Sequence, residues 1–439
     1  MRYYSTRDAR RSATFSLKEA AFAGLAPDGG LFMPERIPQA DLEKVLSLSR
    51  ISYADMAGYL AGLFFGDDVP GEELDEMVRR AYDFPCPLVR VDGTLSVLEL
   101  FHGPTLAFKD FGARFMGGML ALLRDARRPL TVLTATSGDT GSAVAAGFLG
   151  VPGIDVVVLY PDGQVSPLQE AQMTTLGGNI HPVRVKGTFD DCQALVKAVF
   201  NDAAFREGHD VTSANSINIL RWIPQSFYYF HAWAQWISGR RQSGAASEPG
   251  AGPDIVVPSG NYGNITAGML AAAMGMPVRR FIAASNANSV VPDYLRSGEY
   301  RPGPSVRTVA NAMDVGNPSN YERMMDLYGG YDNLRRHVEG YSYSDARILE
   351  AIRRIRNGYG FISDPHAATG YLASKDSGAE GFYLATAHCA KFPKVISDAL
   401  GEQPELPTAL AAALEREKKS VPMDASLSDL ESYIDSLSA

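Results

Sequence analysis

The sequence predicts an α/β protein with parallel sheets, preceded by a mostly helical amino-terminal region. From Leu95 onward, short β-rich runs alternate with glycine-containing loops and helical runs, which is typical of a parallel sheet covered by helices. The residues before that point show helical periodicity instead. The length of 439 residues leaves room for two or three packed cores.

Composition excludes several classes of protein. Hydrophobic residues make up 46% of the chain and charged residues 21%, as in soluble globular proteins and unlike disordered chains. The 41 Lys and Arg against 50 Asp and Glu give a net charge of −9, which repels nucleic-acid backbones and anionic lipid. We therefore expect neither nucleic acid nor a membrane as a partner.

The cysteines and the amino terminus indicate the compartment. Cys86, Cys192 and Cys389 form no Cys-x-x-Cys pair and no cluster of zinc-like spacing, so we expect buried thiols in a reducing compartment and no metal site. No apolar run follows the basic residues 1–12, and no apolar window reaches the ~20 residues that a bilayer requires. The sequence predicts a cytoplasmic protein and leaves monomer and dimer open.

Periodicity predicts the individual elements. Helices are expected over 16–23, 53–65, 71–80, 109–123 and 217–237, and strands over 130–135, 155–160, 181–185, 254–257 and 280–284. Residues 238–253 predict a surface loop, and 406–439 predict one or two amphipathic helices. We divide the chain into an amino-terminal, mostly helical region (1–95), a smaller α/β domain (96–210) and a large α/β domain with carboxyl-terminal helices (211–439).

The strongest local signal is a strand that runs into a loop of Ser, Gly and Asn and then into an alanine-rich helix. The loop contains Gly260, Asn261, Tyr262, Gly263 and Asn264. Glycines allow positive φ and close approach of a ligand, while free N–H groups and the helix dipole attract an anion. The pattern is neither a Walker loop nor a clean Gly-x-Gly-x-x-Gly fingerprint. It predicts a phosphate site, with an ordinary capped turn as the alternative.

A second strand, over 130–135, also ends in a loop of hydroxyls and glycine at a helix start. This loop contains Ser137, Gly138, Asp139 and Thr140, whose hydroxyl and N–H groups can hold a second anion such as a carboxylate. The alternative is that Asp139 or Thr140 only caps the helix. Two anion sites predict a zwitterionic or doubly anionic ligand system.

Lys109 stands between aromatic and apolar neighbours at the predicted start of a helix. Desolvation and the positive end of a helix both lower the pKa of an ammonium, so this lysine can act as a nucleophile. The alternative is a surface lysine paired with Asp110. An apolar-flanked lysine together with a phosphate site and a carboxylate site is what an enzyme holding pyridoxal phosphate as a Schiff base requires.

A predicted strand over 382–386 ends in Thr386. A hydroxyl there can hydrogen-bond to a pyridine nitrogen without forcing it to protonate, whereas an acidic residue would do the opposite. A threonine at a strand end is structural when taken alone, so this assignment depends on the other three motifs.

Together these motifs resemble the threonine synthase family, in the long amino-terminal branch of the fold-type II pyridoxal-phosphate enzymes, whose fold is tryptophan synthase β-like. The resemblance runs from Tyr-Tyr-Ser-Thr-Arg at 3–7, through His-Gly-Pro-Thr-Leu-Ala-Phe-Lys-Asp at 102–110, to the segment 386–393. It implies that Lys109 forms the Schiff base and that the loop 260–264 holds the cofactor phosphate. It also implies that Thr386 faces the pyridine nitrogen and that the loop 137–140 receives the substrate carboxylate.

The segment 215–221 also resembles a family signature near the active site. On that resemblance Asn215, Ser216, Asn218 and Arg221 are assigned to substrate binding. Tyr262 stands where the family commonly has Phe, and we expect no loss of function because the backbone forms the phosphate site.

The resemblance implies conversion of O-phospho-L-homoserine and water to L-threonine and phosphate, with Lys109 as the proton carrier. Arg221 and Lys391 are candidate cations for the leaving phosphate. His366 and His388 are candidate proton donors or phosphate ligands, with packing as the alternative. One rival is a related phospho-lyase or dehydratase that gives 2-oxobutyrate and ammonia. A second is a non-enzymatic ligand-binding or scaffold protein of the same fold.

Overall fold

A computed structural model describes residues 1–125, 128–136, 138–242 and 252–438, and its strands form three sheets. The smallest is antiparallel, in the order β2-β1-β3, and consists of β1 (Arg2–Ser5), β2 (Phe15–Ser16) and β3 (Phe32–Pro34). The region over 1–95 therefore contains a sheet as well as the predicted helices. These strands have two to four residues each, too few for an alternating pattern to identify them.

The larger α/β sheet has six strands in the order β12-β11-β10-β13-β5-β4. They are β4 (Leu88–Arg90), β5 (Leu95–Glu99), β10 (Asp254–Pro258), β11 (Arg280–Ser285), β12 (Val338–Ser342) and β13 (Gly381–Ala385). Only β4 is antiparallel to its neighbour. Because β10 and β13 are adjacent and parallel, the loops that follow them start side by side at one end of the sheet.

The smaller α/β sheet has five parallel strands in the order β14-β8-β7-β6-β9. They are β6 (Leu130–Ala135), β7 (Ile154–Pro161), β8 (Ile180–Lys186), β9 (Asp210–Ser213) and β14 (Val421–Asp424). Every residue of β6 is buried, as expected for a strand with helices on both faces. All five strands predicted from β-rich runs, two in the larger sheet and three here, are confirmed within one residue at each end.

Helices cover the sheets and form most of the amino-terminal region. They are α1 (Leu17–Ala23), α2 (Leu42–Ser49), α3 (Tyr53–Phe65), α4 (Gly71–Ala81), α5 (Lys109–Leu123), α6 (Asp139–Phe148), α7 (Pro167–Thr174), α8 (Phe189–Asn201), α9 (Ala203–Gly208), α10 (Ile219–Trp222), α11 (Gln225–Gln242), α12 (Gly263–Ala273), α13 (Val290–Ser297), α14 (Tyr321–Tyr328), α15 (Tyr331–His337), α16 (Asp345–Tyr359), α17 (Pro365–Asp376), α18 (Pro393–Leu400), α19 (Thr408–Glu415) and α20 (Leu427–Ser438). No helix in the described part of the chain is both long and apolar enough to cross a membrane.

The structure differs from two element predictions. The helix expected over 217–237 is divided into α10 and α11, because Pro224 has no N–H to continue the helical hydrogen bonds. The expected loop over 238–253 begins as the last turn of α11, and its part 243–251 lies outside the described residues. Cys86 and Cys192 are buried as predicted, whereas Cys389 is only half-buried.

The division into 1–95, 96–210 and 211–439 stays a proposal, and sheet membership differs from it at two places. The boundary at 95/96 falls within β5, which belongs to the larger sheet. At the carboxyl end, β14 pairs with β8 of the smaller sheet, so the last segment of the chain returns to the sheet of residues 130–213. The sequence did not indicate β14 because it is a four-residue, mostly exposed edge strand containing Pro422.

Candidate active site

Lys109 and Thr386 lie close together because the segment before α5 pairs with the segment after β13. The backbone N–H of Phe108 donates to the carbonyl oxygen of Thr386 at 2.8 Å, and Ala107 and Ala387 form an antiparallel bridge. Thr386 is buried, and no residue in the described ranges hydrogen-bonds to its hydroxyl. The lysine thus begins α5 beside the threonine that directly follows β13.

Lys109 is a half-buried residue whose amine is desolvated. Burial lowers the pKa of this amine to about 8. Asp139 acts in the opposite direction, while the positive charges of Arg221 and Lys391 lower the pKa further. A larger share of this amine is therefore neutral near pH 7 than for an exposed lysine, whose pKa is about 10.4.

Asp110, the neighbour of Lys109, has a different partner. Its carboxylate accepts from the backbone N–H of Thr105 at 2.9 Å and from the Thr105 hydroxyl at 2.6 Å. Burial raises the pKa of Asp110 to about 6, although these two hydrogen bonds act to lower it. No ion pair between Asp110 and Lys109 occurs in the part of the chain that the structure describes, so Lys109 is not the paired surface lysine of the alternative interpretation.

The loop between β10 and α12 presents a row of backbone donors. None of the N–H groups from Asn261 to Asn264 has an acceptor among the described residues. Positive φ occurs at Tyr262 (60°) and not at Gly260 or Gly263. Gly260 is needed for another reason, because a Cβ there would lie 2.5 Å from the Cα of Met313. The expected positive φ therefore falls on Tyr262 instead of a glycine, and Gly260 is required by the close approach of Met313.

Side chains from several elements fix this loop. Asn261 donates from Nδ2 to the Ser216 hydroxyl at 3.0 Å, and its Oδ1 accepts from the backbone N–H of Ser319 at 2.7 Å. Ser216, which was assigned to the substrate, instead supports the loop over 260–264, which the sequence predicts to hold a phosphate and which we call the phosphate loop. The Oδ1 of Asn264 accepts hydrogen bonds from the hydroxyls of Tyr228 and Tyr229, both at 2.7 Å. The Nδ2 of Asn264 is buried and has no partner within the described ranges.

The loop between β6 and α6 carries a buried ion pair that joins the two α/β sheets. Lys391 Nζ lies 2.7 Å from Asp139 Oδ1, and both side chains are buried. Gln169 Nε2 also donates to this oxygen, and Lys391 donates to the carbonyl of Thr105 at 2.8 Å. Burial raises the pKa of Asp139, but Lys391 and Lys109 together hold it well below the usual range, so the carboxylate is charged.

Because an ionised Asp139 repels anions, only the backbone N–H groups of this loop are available for the carboxylate that the sequence predicts there. The N–H groups of Asp139 and Thr140, at the start of α6, have no acceptor in the described part of the chain. Gly138 has a φ of 146°, a conformation that favours glycine. Ser137 lies outside the described residues.

The residues of the segment 215–221 that were assigned to substrate binding differ in whether their side chains are already bonded within the protein. Asn218 caps α10 through Oδ1 and donates to the carbonyl oxygens of Ala21 and Ser213, so its side chain is fully engaged within the protein. Asn215 accepts from Thr134 at 3.3 Å. Arg221 differs: it is buried, donates from one terminal nitrogen to the Ala214 carbonyl at 2.6 Å, and its Nε has no partner among the described residues.

The two histidines have structural partners. His366 lies between the Asp364 carboxylate (2.8 Å from Nδ1) and the backbone N–H of Ala312, which donates to Nε2 at 3.2 Å. His388 accepts from the backbone N–H of Ala390 at 3.2 Å, and burial lowers its pKa. A cavity of about 60 Å³ beside β13 is lined by His388 and by Ala385 and Ala387, which flank Thr386.

Sequence reasoning missed Ser319 and Asn320, which hold the phosphate loop from a different part of the chain. They belong to a Pro-Ser-Asn run at 318–320, which predicts a turn. The run does not indicate that this turn contacts residue 261. It also did not pair Lys391 with Asp139, since residues 252 positions apart in sequence give no spacing signal.

The fold and this arrangement of lysine, backbone donors and strand-end hydroxyl define a pyridoxal-phosphate dependent enzyme. The family model of that description matches residues 85–382, and models for the amino terminus and the carboxyl-terminal part of threonine synthase match 2–82 and 365–434. The chain belongs to the threonine synthase family.

Relatives and solved structures agree along the whole length. Threonine synthase of Serratia marcescens is 42% identical over 442 residues, covering 100% of both chains. The crystal structure of threonine synthase from Escherichia coli matches with a TM-score of 0.88 at 40% identity, again over 100% of both chains. The pyridoxal-phosphate-bound threonine synthase from Brucella melitensis matches with a TM-score of 0.91 at 34% identity, over 100% of this chain and 99% of that one.

The residues present fit the family's cofactor. The unpaired N–H groups from Asn261 to Asn264 suit a phosphate at a helix start. The buried Nδ2 of Asn264 and the buried Nε of Arg221 have no partner in the described ranges, which leaves two further donors for anionic groups. Lys109, half-buried and with a lowered pKa, suits covalent attachment of an aldehyde.

Proposed function

We propose that the chain converts O-phospho-L-homoserine and water to L-threonine and inorganic phosphate. The observation that carries the proposal is the desolvated Lys109 amine, in a segment held beside Thr386 and in a chain that matches threonine synthases from end to end. Structures of threonine deaminases also match, but at 15% and 19% identity they bear on the fold alone. Nothing in the site favours a second reaction.

Each group of the cofactor has a proposed partner. Lys109 Nζ would hold its aldehyde carbon, the N–H groups of 261–264 its phosphate, and the Thr386 hydroxyl its ring nitrogen. A hydroxyl shares a hydrogen bond with that nitrogen without adding a negative charge that would protonate it. When bound, the cofactor supplies an electron sink for the bonds that break next to the substrate's amino nitrogen.

Lys109 is the proposed proton carrier. With the cofactor and substrate bound, the free amine would take protons from the α and β carbons and return protons at the γ and α carbons, so that as many are delivered as are removed. The C–O bond at the γ carbon breaks with loss of phosphate, and water adds at the β carbon. Proton transfer by a positioned group of this kind contributes typically ~10²–10⁴-fold to the rate. The lowered pKa of Lys109 keeps the amine ready to accept a proton near neutral pH.

Two sets of groups are proposed to hold the substrate's anionic ends. The substrate carboxylate would accept from the N–H groups of Asp139 and Thr140 at the start of α6. For the leaving phosphate, Arg221 is a better candidate than Lys391. No carboxylate contacts Arg221 within the described ranges, whereas Lys391 is already paired with Asp139.

We propose the cytoplasm as the site of action, because the three cysteines are free, as in a reducing compartment. The proposed partners are small molecules, and monomer and dimer both fit the reaction.

A product assay tests the proposed function. The holoenzyme is incubated with O-phospho-L-homoserine, and threonine, phosphate and 2-oxobutyrate are measured over time. We expect threonine and phosphate in equal amounts. The control Lys109→Ala should form neither, because it removes the proposed proton carrier. Accumulation of 2-oxobutyrate with ammonia in place of threonine would contradict the proposal.

A further inference from the structure

Arg323, in α14, is a buried cation that no motif in the sequence indicates. Its guanidinium donates to the carbonyl oxygens of Ile217 at 2.7 Å and Phe32 at 3.2 Å, and to Oδ1 of Asn320 at 2.9 Å. It also stacks over the ring of Trp222, with 4.2 Å from the central carbon to the ring centroid. All these partners are neutral, and no carboxylate pairs with it among the described residues.

Asn320 connects this cation to the phosphate loop. While its Oδ1 accepts from Arg323, its Nδ2 donates to the backbone carbonyl of Asn261 at 3.0 Å. In a planar trans peptide the C=O and the next N–H point in opposite directions. Fixing the carbonyl of Asn261 therefore fixes the direction of the Tyr262 N–H. A Cβ at Gly263 would lie 3.2 Å from the same Nδ2, so Asn320 packs directly against the loop.

The same guanidinium reaches the amino-terminal region. Phe32, whose carbonyl accepts from Arg323, belongs to β3. A second contact between this region and α14 is the ion pair of Arg7 with Glu322, at 2.7 Å. Burial lowers the pKa of Arg323 to about 9. The charge of the neighbouring Glu322 acts in the opposite direction. A buried charge whose hydrogen-bond partners are all neutral is costly to the fold, so its position is held by several donors and acceptors at once.

We propose that Arg323 is a positioning residue for the cofactor phosphate: through Asn320 it sets the N–H groups of the 261–264 loop, and through Phe32 it makes that setting depend on the amino-terminal sheet. The inference rests on the proposed function, because it takes the 261–264 loop as the phosphate site. Arg323 touches neither cofactor nor substrate in this scheme. Its effect is on how tightly the phosphate group is held.

The test compares two ligands that differ only in the phosphate. Cofactor-free full-length protein is titrated with pyridoxal phosphate and, separately, with pyridoxal, and binding is followed by absorbance. We expect Arg323→Lys and Asn320→Ala to weaken pyridoxal phosphate binding at least ten-fold, about 1.4 kcal/mol, and to change pyridoxal binding less than two-fold. Arg336→Lys, at an exposed arginine of α15, is the matched control and should change neither.

Three outcomes separate the inference from its alternatives. A parallel loss of affinity for both ligands would indicate a general structural role and overturn the proposal, as would unchanged affinity for pyridoxal phosphate. If Arg323→Lys does not fold, Arg323→Gln replaces it, because it removes the charge while keeping an amide donor for Asn320, and an unchanged ratio of the two affinities in that variant also overturns the proposal. A wild-type protein that binds neither ligand would overturn the proposed function itself, whereas normal wild-type binding with unaffected variants overturns only this inference.

Discussion

At the scale of single residues, Lys109 combines two properties that rarely occur together in a lysine. Its amine is surrounded by protein strongly enough to have a lowered pKa, while the residue as a whole is only half-buried. Three neighbouring charges adjust that pKa, with Asp139 raising it and Arg221 and Lys391 lowering it. The sequence predicted the lowered pKa from apolar neighbours and a helix start, but the three charges come from distant segments that spacing could not bring together.

The lowered pKa predicts how cofactor uptake depends on pH. Only the neutral amine attacks an aldehyde, so uptake of pyridoxal phosphate by the cofactor-free chain should rise with pH through about 8 and level off above it. Rapid-mixing absorbance measures the rate, and borohydride reduction followed by digestion should label the peptide that contains Lys109. A midpoint near the ordinary lysine value, or a label on another peptide, would contradict the assignment. Lys109→Ala is the control and should take up no label.

At the scale of elements, the phosphate loop depends on what packs behind it. The sequence identified the loop correctly as a strand-to-helix connection, and the structure adds that Met313 lies against Gly260 and that Tyr262 takes the positive φ. The contact could not be predicted, because Met313 lies 53 positions after Gly260 in sequence. The positive φ was expected at a glycine, since glycine adopts it without steric cost. The interruption at Pro224 could have been predicted, since proline is a local signal.

Gly260→Ala should weaken cofactor retention. The added Cβ would lie 2.5 Å from the Cα of Met313, so the loop must move and its N–H groups change direction. We expect the affinity for pyridoxal phosphate, measured by equilibrium dialysis, to fall at least ten-fold, which corresponds to about 1.4 kcal/mol. Substrate preference should change little. Gly62→Ala is the control: it is exposed within α3 with nothing near its Cβ, and should stabilise the protein by ~0.5–1 kcal/mol. Unchanged retention in Gly260→Ala would refute the role of the loop.

At the scale of the whole molecule, the buried pair of Asp139 and Lys391 joins the two α/β sheets. Asp139 follows β6 of the smaller sheet and Lys391 follows β13 of the larger one, and both lie near Lys109. The pair therefore couples the relative position of the two sheets to the electrostatics of the proposed catalytic amine. Such pairs tolerate joint replacement better than the loss of one member.

A double-mutant cycle tests this coupling. Asp139→Asn alone should lower the free energy of unfolding by ~3–5 kcal/mol, because it leaves the buried ammonium of Lys391 without a counter-charge, and Lys391→Met alone should do the same for the carboxylate. The double variant should lose clearly less than the sum, as measured by urea denaturation. Glu350→Gln, which breaks an exposed pair with Arg354, should change stability by less than about 1 kcal/mol. Additive losses in the cycle would contradict a direct pair.

The sequence by itself determined the local features: the parallel α/β class, the bounds of five strands and of four predicted helices to within one residue, the lysine at a helix start and the two strand-to-helix loops that we propose bind anions. These follow from periodicity and from short motifs, which act over a few neighbouring residues. Tertiary structure alone decided the partners: Asp139 for Lys391, Asn320 and Arg323 for the phosphate loop, and β8 for β14. Such contacts depend on how parallel strands order themselves across a sheet, and that order brings together residues whose separation along the chain leaves no pattern in the sequence.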